Sequence, residues 1–285
     1  MAVFPRECAG AENGIPGPTD IWITLAGLAR ETSTIRLGSL MTSATFRHPS
    51  VLAVTVAQVD QMSGGRVELG LGAGWWEREH AATGIELPDI QERFDRLAQQ
   101  LETLDGLWNA PVGETYSFVG DAYRLDRAPG LPKPLQDGVP IIIGGDGKTR
   151  TPELAARWAQ EFNSGWENPT VTRFHFDRVA MACERIGRDP SSLPRSTVQT
   201  LCAGDAVADR EHRAVRIGVP LSELEGLIGD ESDIRRRVAD FETAGVDRLY
   251  VEILDLADLD HLDYFASAVG LTGAGRDDVE PVTTE

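Results

Sequence analysis

Hydrophobic positions along this chain change period repeatedly, from three or four residues to two and back again. The longer period predicts an amphipathic helix and the shorter one a half-buried strand. Glycine and proline stand at many of the boundaries, where they end or start helices. We predict helices over residues 18–33, 48–65, 92–108, 151–160, 169–186, 232–245 and 258–269, and strands over 34–43, 67–73, 140–145, 161–165, 197–204 and 246–254.

Strands and helices alternate almost throughout, with short connections, which is typical of a parallel sheet covered by helices. Such a sheet is either doubly wound or closed as a (β/α)8 barrel. A closed barrel needs eight strands, whereas the pattern supplies six and a stub at 1–4, so the shortfall lies at the beginning. We expect one domain over 1–270, with a hairpin and proline-rich insertion at 110–139 and a polar, variable stretch at 204–230, followed by an acidic tail at 271–285.

The composition narrows the classes of function. A chain of 285 residues with 41% hydrophobic content can bury a large core, and its net charge of −18 argues against nucleic acid as a partner. The start has no basic segment before an apolar one, and no apolar run reaches roughly 18 residues, so we expect a cytoplasmic protein without a membrane segment. Cys8, Cys183 and Cys202 lack the spacing of a zinc site or a disulfide framework, and we expect no metal.

Glycine recurs at every second position near the end of one predicted strand. These residues are Gly70, Gly72 and Gly74, and Trp75 and Trp76 follow them. Glycine weakens a strand and often marks a place where a ligand or another backbone comes close. Two interpretations stay open at this point: the glycines make room for bulky neighbours in a crowded interior, or they let a ligand approach the backbone.

A second candidate site follows the apolar strand at 140–145. The loop Gly144–Lys148 carries three glycines, and Arg150 comes two residues later. Thr151 is predicted to cap the next helix, with Pro152 in its first turn. Exposed backbone N–H groups, a helix N-terminus and two cations together favour an anion, most naturally a phosphate. The alternative is a tight turn with solvated charges.

Two histidines stand near predicted strand ends. Arg47 and His48 follow hydroxyl and aromatic residues at the end of strand 34–43, where barrels place active sites. His48 precedes Pro49, so the alternative is that it only starts the next helix. His80 is interpreted as a structural, hydrogen-bonding histidine rather than a base. The sequence shows no Ser-His-Asp triad, metal-ligand cluster or carboxylate pair, and its glycine- and hydroxyl-rich strand ends suit a flat, anionic redox cofactor.

Five segments, taken in order, carry a family resemblance: 32–80, 92–108, the hairpin with PKPLQ at 132–136, 140–163 and 183–190. The first of them runs TSTIRLGSLMTSATFRHPSVLAVTVAQVDQMSGGRVELGLGAGWWEREH. Together they resemble the bacterial luciferase-like monooxygenase superfamily of flavin- and deazaflavin-dependent oxidoreductases, over about residues 14–255. The chain is most similar to the branch that uses coenzyme F420, while members that use FMN share much of the pattern.

The resemblance implies a (β/α)8 TIM barrel of the luciferase-like type that lacks its first β/α unit, with the cofactor ring at the C-terminal mouth. It implies a bulge behind the ring, with a non-proline cis peptide, at Ser39, Leu40 and Met41. Glu7 and Cys8 stand where the family's Asp-His pair would be catalytic. The other residues implied to bind the cofactor are Ala73, Gly74, Trp75, Gly144, Gly145, Asp146, Gly147 and Lys148.

The resemblance further implies an oxidoreductase that transfers a hydride between F420 and an unidentified small organic substrate. The alternatives are an FMN-dependent monooxygenase and a truncated barrel that binds a cofactor without catalysis. The substrate pocket would come from the variable segments 9–18, 112–125 and 204–230. Because the strand at 246–254 would keep an open edge, we expect marginal stability or association through that edge, for example as a homodimer.

Overall fold

The computed structural model describes residues 19–271, which form an α/β fold built around parallel strands. One compact unit comprises the described residues up to Val198 together with Gly245–Leu249, and a second comprises Gln199–Ala244 and the described residues from Tyr250 onward. The α-helices are α1 Ile21–Glu31, α2 Pro49–Ser63, α3 Glu77–Thr83, α4 Ile90–Asn109, α5 Arg150–Trp158, α6 Pro169–Arg185, α7 Val207–Ile217, α8 Glu231–Thr243 and α9 Leu259–Ala268. The strands are β1 Leu37–Ser43, β2 Val67–Gly72, β3 Tyr116–Val119, β4 Arg124–Ala128, β5 Ile141–Gly144, β6 Glu161–Ser164, β7 Arg195–Ala203, β8 Leu227–Gly229 and β9 Arg248–Glu252.

The first unit is built on a parallel sheet in the order β1-β2-β5-β6-β7. Leu69 of β2 lies opposite Ile141 of β5, and Phe162 of β6 lies opposite Arg195 at the start of β7. Helices α2, α5 and α6 connect successive strands, as a parallel sheet requires. The carboxyl ends of these strands therefore lie at one edge. Strands β3 and β4 form a separate antiparallel hairpin inside the predicted insertion at 110–139.

Apolar side chains of β2 and of the helices that cover it form the centre of the core. Leu69 and Leu71 of β2, Leu52 and Val56 of α2, and Leu101 of α4 are each 0% exposed. Their spacings of two residues on the strand and four on the helix are the periods seen in the sequence. Burying one such side chain contributes about 1.5–3 kcal/mol. This packing fixes the strand ends that carry the candidate site.

Helix α2 begins and ends at the residues that its sequence predicts. His48 is the N-cap, its ring nitrogen accepts a hydrogen bond from the Ser50 backbone N–H at 3.3 Å, and Pro49 follows at the first helical position. Gly64 ends the helix in the left-handed conformation, with φ of 72°. A residue without a Cβ adopts this conformation at no steric cost. The interpretation of His48 as a helix start is confirmed.

Ion pairs connect the amino ends of the strands in the first unit. Arg248 at the start of β9 contacts Glu68 of β2 and Glu161 of β6, each at an N–O distance of 3.0 Å. Arg36, just before β1, also contacts Glu68. Partly buried ion pairs add little net stability, so their main effect here is to hold strands that are distant in sequence in one arrangement. They lie at the end opposite the carboxyl edge.

The second unit contains the end of β7, which pairs in parallel with β8, and helices α7, α8 and α9. Helix α8 begins with a capping box, in which the side chains of Asp230 and Asp233 each accept a hydrogen bond from the other's backbone N–H. His261 of α9 is 3% exposed. Its Nε2 accepts a hydrogen bond from the Ala203 backbone N–H at 3.0 Å. That bond ties α9 to the end of β7.

The structure differs from the sequence prediction in two stretches. Helix α3 is not predicted, because its charged run shows no apolar stripe. The polar stretch 204–230, for which no helix or strand is predicted, contains α7 and β8. Helix α7 buries only Ala214 and Ile217, and β8 is three residues long. Both elements are therefore too weakly patterned to stand out.

Several predictions concern residues beyond the described range. The stub at 1–4, the candidate catalytic residues Glu7 and Cys8, and the tail from 272 onward lie outside the described residues. The missing first β/α unit, the open edge with its homodimer, and the single domain over 1–270 stay predictions. Among the helices of the described part, none is long and apolar enough to cross a membrane.

Candidate active site

The carboxyl ends of β1, β2, β5 and β6 surround an open cleft of about 1470 Å³ in the first unit. Open α/β sheets bind ligands at this edge. The cleft is lined by Leu40–Ser43, Gly72–Trp76, Gly144–Thr151, Asn163 and Gly165–Glu167, with further side chains from Thr19–Ile21, Phe46, Arg47, Glu79, His80, Thr83, Ile90, Gln91, Arg93, Phe94 and Val198. Pockets for drug-sized ligands measure about 300–1,000 Å³. The cleft therefore has room for a cofactor and a substrate beside it.

A chain of buried hydrogen bonds fixes the end of β1. The Trp22 indole N–H donates to Thr42 Oγ1 (3.1 Å), and the Thr42 hydroxyl donates to Ser39 Oγ (3.1 Å). The Ser39 hydroxyl donates to the Gly70 carbonyl (2.9 Å) and accepts from the Gly70 N–H (3.1 Å). Between Ser39 and Thr42 the pairing with β2 shifts register, and the Leu40–Met41 peptide is cis. The predicted bulge with a non-proline cis peptide is confirmed.

The three alternating glycines lie in three different surroundings. A Cβ at Gly70 would overlap the backbone of the β1 bulge, so this glycine lets the two strands pack closely. Gly74 has φ of +82°, and its Cβ would overlap Ser43 Oγ. Gly72 lines the cleft, and the atom nearest to its Cβ would be 3.9 Å away. Packing explains Gly70, turn geometry with packing explains Gly74, and the glycine with free space for a ligand is Gly72.

The loop after β2 is held by side chains from both α4 and α3. Arg93 of α4 donates from Nη1 to the Gly74 carbonyl. His80 of α3 has Nδ1 2.7 Å from the Trp76 carbonyl oxygen and Nε2 2.7 Å from Thr45 Oγ1. His80 is 2% exposed. Its interpretation as a structural, hydrogen-bonding histidine is confirmed, and the loop it holds forms part of the cleft wall.

The loop after β5 is shaped by small residues and by the first turn of α5. Thr149 is the N-cap and α5 begins at Arg150, so the prediction of Thr151 as the N-cap is wrong. Thr151 is 2% exposed, and its side chain occupies the space that a Cβ at Gly147 would need. Because α5 begins earlier than predicted, Thr151 lies within its first turn and not at the cap. Gly145 has φ of +131°, which side-chain-bearing residues rarely adopt.

The cations on the cleft wall differ in what they contact. Arg150 pairs with Asp95 at 2.5 Å, and Arg47 pairs with Asp20. Burial opposes ionisation of Asp20, but hydrogen bonds from the α1 backbone and from Arg47 outweigh it and hold the pKa of this carboxyl below its usual value. Lys148 is exposed, and within residues 19–271 it has no ion pair or hydrogen bond. Of the two cations that the sequence suggests for an anion, Lys148 is the available one.

The structure brings most of the predicted cofactor residues together. Leu40, Met41, Ala73, Gly74, Trp75, Gly144, Gly145, Asp146, Gly147 and Lys148 all line the cleft. Ser39 does not line it, because its side chain is buried in the sheet at 1% exposure. Three further residues of the cleft wall are not predicted from the sequence: Arg93, Asn163 and Trp166. Asn163 and Trp166 lie at the end of a predicted strand, which could have identified them, whereas Arg93 resembles any solvated charge on an amphipathic helix.

Comparison with known families agrees with this arrangement. Residues 7–239 match the family model for luciferase-like monooxygenases. The chain belongs to the luciferase-like monooxygenase family. The resemblance drawn from the sequence is confirmed, and the cleft at the carboxyl ends of the strands is the candidate active site of a luciferase-like protein.

Two curated relatives of this luciferase-like chain are named as F420-dependent enzymes. The chain is 36% identical over 139 residues to the F420-dependent glucose-6-phosphate dehydrogenase of Nakamurella multipartita, which covers 48% of this chain and 39% of the relative. It is 30% identical over 190 residues to the F420-dependent hydroxymycolic acid dehydrogenase of Mycobacterium tuberculosis, which covers 65% of this chain and 49% of the relative. The matched region spans less than half the length of each relative.

Solved structures show the same fold. The F420-dependent secondary alcohol dehydrogenase in complex with an F420-acetone adduct has a TM-score of 0.78 at 19% identity, covering 89% of this chain and 85% of that chain. Monooxygenase RslO1 from Streptomyces bottropensis has a TM-score of 0.73 at 18% identity, covering 88% and 82%. At these identities the similarity establishes the fold alone. The predicted α/β fold with a parallel sheet is confirmed as that of luciferase-like proteins.

Proposed function

We propose that this luciferase-like protein is an F420-dependent oxidoreductase that transfers a hydride between the deazaflavin and a small organic substrate. The fold is then the family's (β/α)8 barrel, with the cofactor in the cleft at its C-terminal mouth. The observation that carries the proposal is the cleft wall itself, in which glycine backbone from two strand ends stands beside an unengaged lysine, Lys148. The F420-dependent names of both curated relatives support the choice of cofactor.

The residues present fit a flat ring with an anionic tail. A flat ring needs a wall from which few side chains project, and Gly72 and Gly165 supply one, since a Cβ at Gly165 would meet nothing within 4 Å. An anionic tail needs N–H donors and a cation. The glycine-rich loop Gly144–Lys148 offers its backbone, and Lys148 offers its ammonium group.

Each group of residues has one task in this proposal. Leu40 and Met41 support the ring, and the backbone of Ala73–Trp75 and the loop Gly144–Lys148 hold the tail and its phosphate. When bound, F420 supplies the hydride acceptor, and the protein supplies binding, orientation and exclusion of water. With an alcohol as substrate, bound F420 would accept the hydride of the carbinol carbon and water would accept the hydroxyl proton, which leaves a carbonyl.

The test is a parallel titration with F420 and FMN, followed by cofactor fluorescence. We expect F420 to bind at least about tenfold more tightly, which corresponds to about 1.4 kcal/mol. The F420 complex should then be reduced anaerobically by an alcohol. Preferential binding of FMN, with oxygen consumption once it is reduced, would make the protein a flavin-dependent monooxygenase. Binding of F420 without reduction by any alcohol would support a barrel that binds the cofactor without catalysis.

A further inference from the structure

An exposed aromatic pair stands on the rim of the cleft. The Trp75 side chain is 67% exposed, and its ring stacks on that of Trp76 with centroids 6.0 Å apart and planes 22° apart. A large indole surface left in water is unfavourable, and aromatic side chains with an apolar face are enriched where proteins bind ligands. The outer face of Trp75 is therefore a candidate binding surface.

The backbone beneath this pair is fixed before any ligand arrives. The Gly74 carbonyl accepts a hydrogen bond from Arg93, and the Trp76 carbonyl accepts one from His80. Both anchors lie within the first unit. A surface that is already ordered binds a rigid, planar molecule without the entropic cost of ordering a loop. Such a surface favours stacking with an aromatic ring.

The charges around the cleft disfavour a phosphorylated substrate. Four basic side chains line it and four acidic ones balance them: Arg47, Arg93, Lys148 and Arg150, with Asp20, Glu79, Asp146 and Glu167. The three arginines already bind Asp20, the Gly74 carbonyl and Asp95, respectively. Lys148 is the cation that the proposed function gives to the cofactor. A phosphate on the substrate would have to compete with these existing arginine interactions.

We propose that the substrate is an uncharged aromatic alcohol, or the corresponding ketone or aldehyde, which stacks on the outer face of Trp75. The proposal rests on the F420-dependent function, because the alcohol gives its hydride to the cofactor in the cleft. The backbone of the Trp75 loop then faces the cofactor, and its indole faces the substrate. Trp75 sets the choice of substrate, and Trp76 supports its ring from behind.

The test compares 1-phenylethanol, cyclohexanol and glucose 6-phosphate as substrates of the F420-loaded protein. We expect the value of kcat/KM to be highest for 1-phenylethanol. Trp75→Ala should raise the KM for 1-phenylethanol by about tenfold, as expected for loss of one aromatic stacking contact, with little change for cyclohexanol. Trp75→Phe should restore most of the affinity for 1-phenylethanol. Trp108→Phe, which alters a tryptophan outside the cleft, is the matched control.

Two results would overturn the proposal: a preference for glucose 6-phosphate, or an unchanged KM for 1-phenylethanol in Trp75→Ala. Failure of the proposed function is distinguished by a second readout. If F420 does not bind, acetophenone is titrated into the protein while tryptophan fluorescence is followed. Quenching that Trp75→Ala abolishes and Trp108→Phe retains would still support the aromatic site, and no quenching would refute it.

Discussion

The Nδ1 atom of His80 lies 2.7 Å from the carbonyl oxygen of Trp76. Because a carbonyl oxygen only accepts hydrogen bonds, Nδ1 must carry a hydrogen, and in the neutral imidazole Nε2 then accepts a hydrogen bond from the Thr45 hydroxyl at 2.7 Å. One buried imidazole thus joins the loop after β2 to the segment after β1. The order of the cleft wall depends on this connection.

Replacing His80 should therefore loosen the wall. His80→Leu leaves the Trp76 carbonyl and the Thr45 hydroxyl without this partner, and we expect the free energy of unfolding to fall by about 1–3 kcal/mol. F420 affinity should fall as well. Urea denaturation and F420 titration measure the two effects, with His212→Leu as an exposed-histidine control. Equal stability of the two variants would contradict the anchoring role of His80.

Gly70 and Gly72, two positions apart on β2, differ in what surrounds them and give a matched pair of variants. Gly70→Ala places a methyl group against the β1 bulge, so we expect a loss of several kcal/mol in stability or failure to fold. Gly72→Ala meets no atom nearer than 3.9 Å and should fold normally. Its methyl group would project into the cleft and weaken F420 binding. Thermal melts and F420 titration of both variants test this prediction. Equal melting temperatures of the two variants would contradict it.

Lys148 should contribute to cofactor affinity through its charge. Reversing it in Lys148→Glu should weaken F420 binding by about 1–3 kcal/mol, as expected for a charge-assisted hydrogen bond, and leave the melting temperature unchanged. Arg185→Glu makes the same change in net charge on an exposed helix end and should leave F420 affinity intact. If both variants weaken binding equally, the effect comes from the overall charge and not from the loop.

The stability of the second unit should depend on pH through His261. Burial, with a contribution from Arg213, lowers the pKa of His261 to about 4, whereas an unfolded histidine titrates near about 6.5. Between these two pKa values, the unfolded chain binds a proton that the folded chain does not. The contribution of His261 to the free energy of unfolding is therefore fully present above about pH 6.5 and is lost as the pH falls towards 4. We expect a loss of about 1–3 kcal/mol over this window.

The variant His261→Gln isolates this effect. Its amide oxygen can still accept a hydrogen bond from the Ala203 N–H, but it does not titrate. Urea denaturation between roughly pH 7 and pH 4.5 should show a shallower pH dependence for this variant than for the parent, while His212→Gln should follow the parent. Parallel curves for all three proteins would show that His261 is not the group responsible.

Periodicity predicts the framework well because burial and spacing coincide there. Helix α4 is an example: Leu97, Leu101, Leu104 and Leu107 share one face, and each is at most 3% exposed. Helix α7 is not predicted, because its two buried residues, Ala214 and Ile217, stand among charged ones. Strong amphipathic elements are therefore readable from the sequence, and weak ones are not.

The candidate site is predicted less completely, because its properties depend on residues distant in sequence. Glycine at position 70 indicates a close approach, but the approaching group belongs to Ser39, which lies 31 positions away. Arg150 has the sequence context of an anion ligand, yet Asp95 engages it across 55 positions. The local sequence pattern predicts which residues stand at a strand end. Tertiary contacts determine which of these residues can still bind a ligand.

The way the chain divides between its two units has a consequence for biosynthesis. The polypeptide leaves the first unit after Val198 and returns to it only at Gly245–Leu249. That return carries Arg248, which bridges Glu68 and Glu161 on separate strands. During translation, Arg248 therefore leaves the ribosome only after Gln199–Ala244 of the second unit has been made. A nascent chain released before that point would lack the ionic bridge that joins its strands.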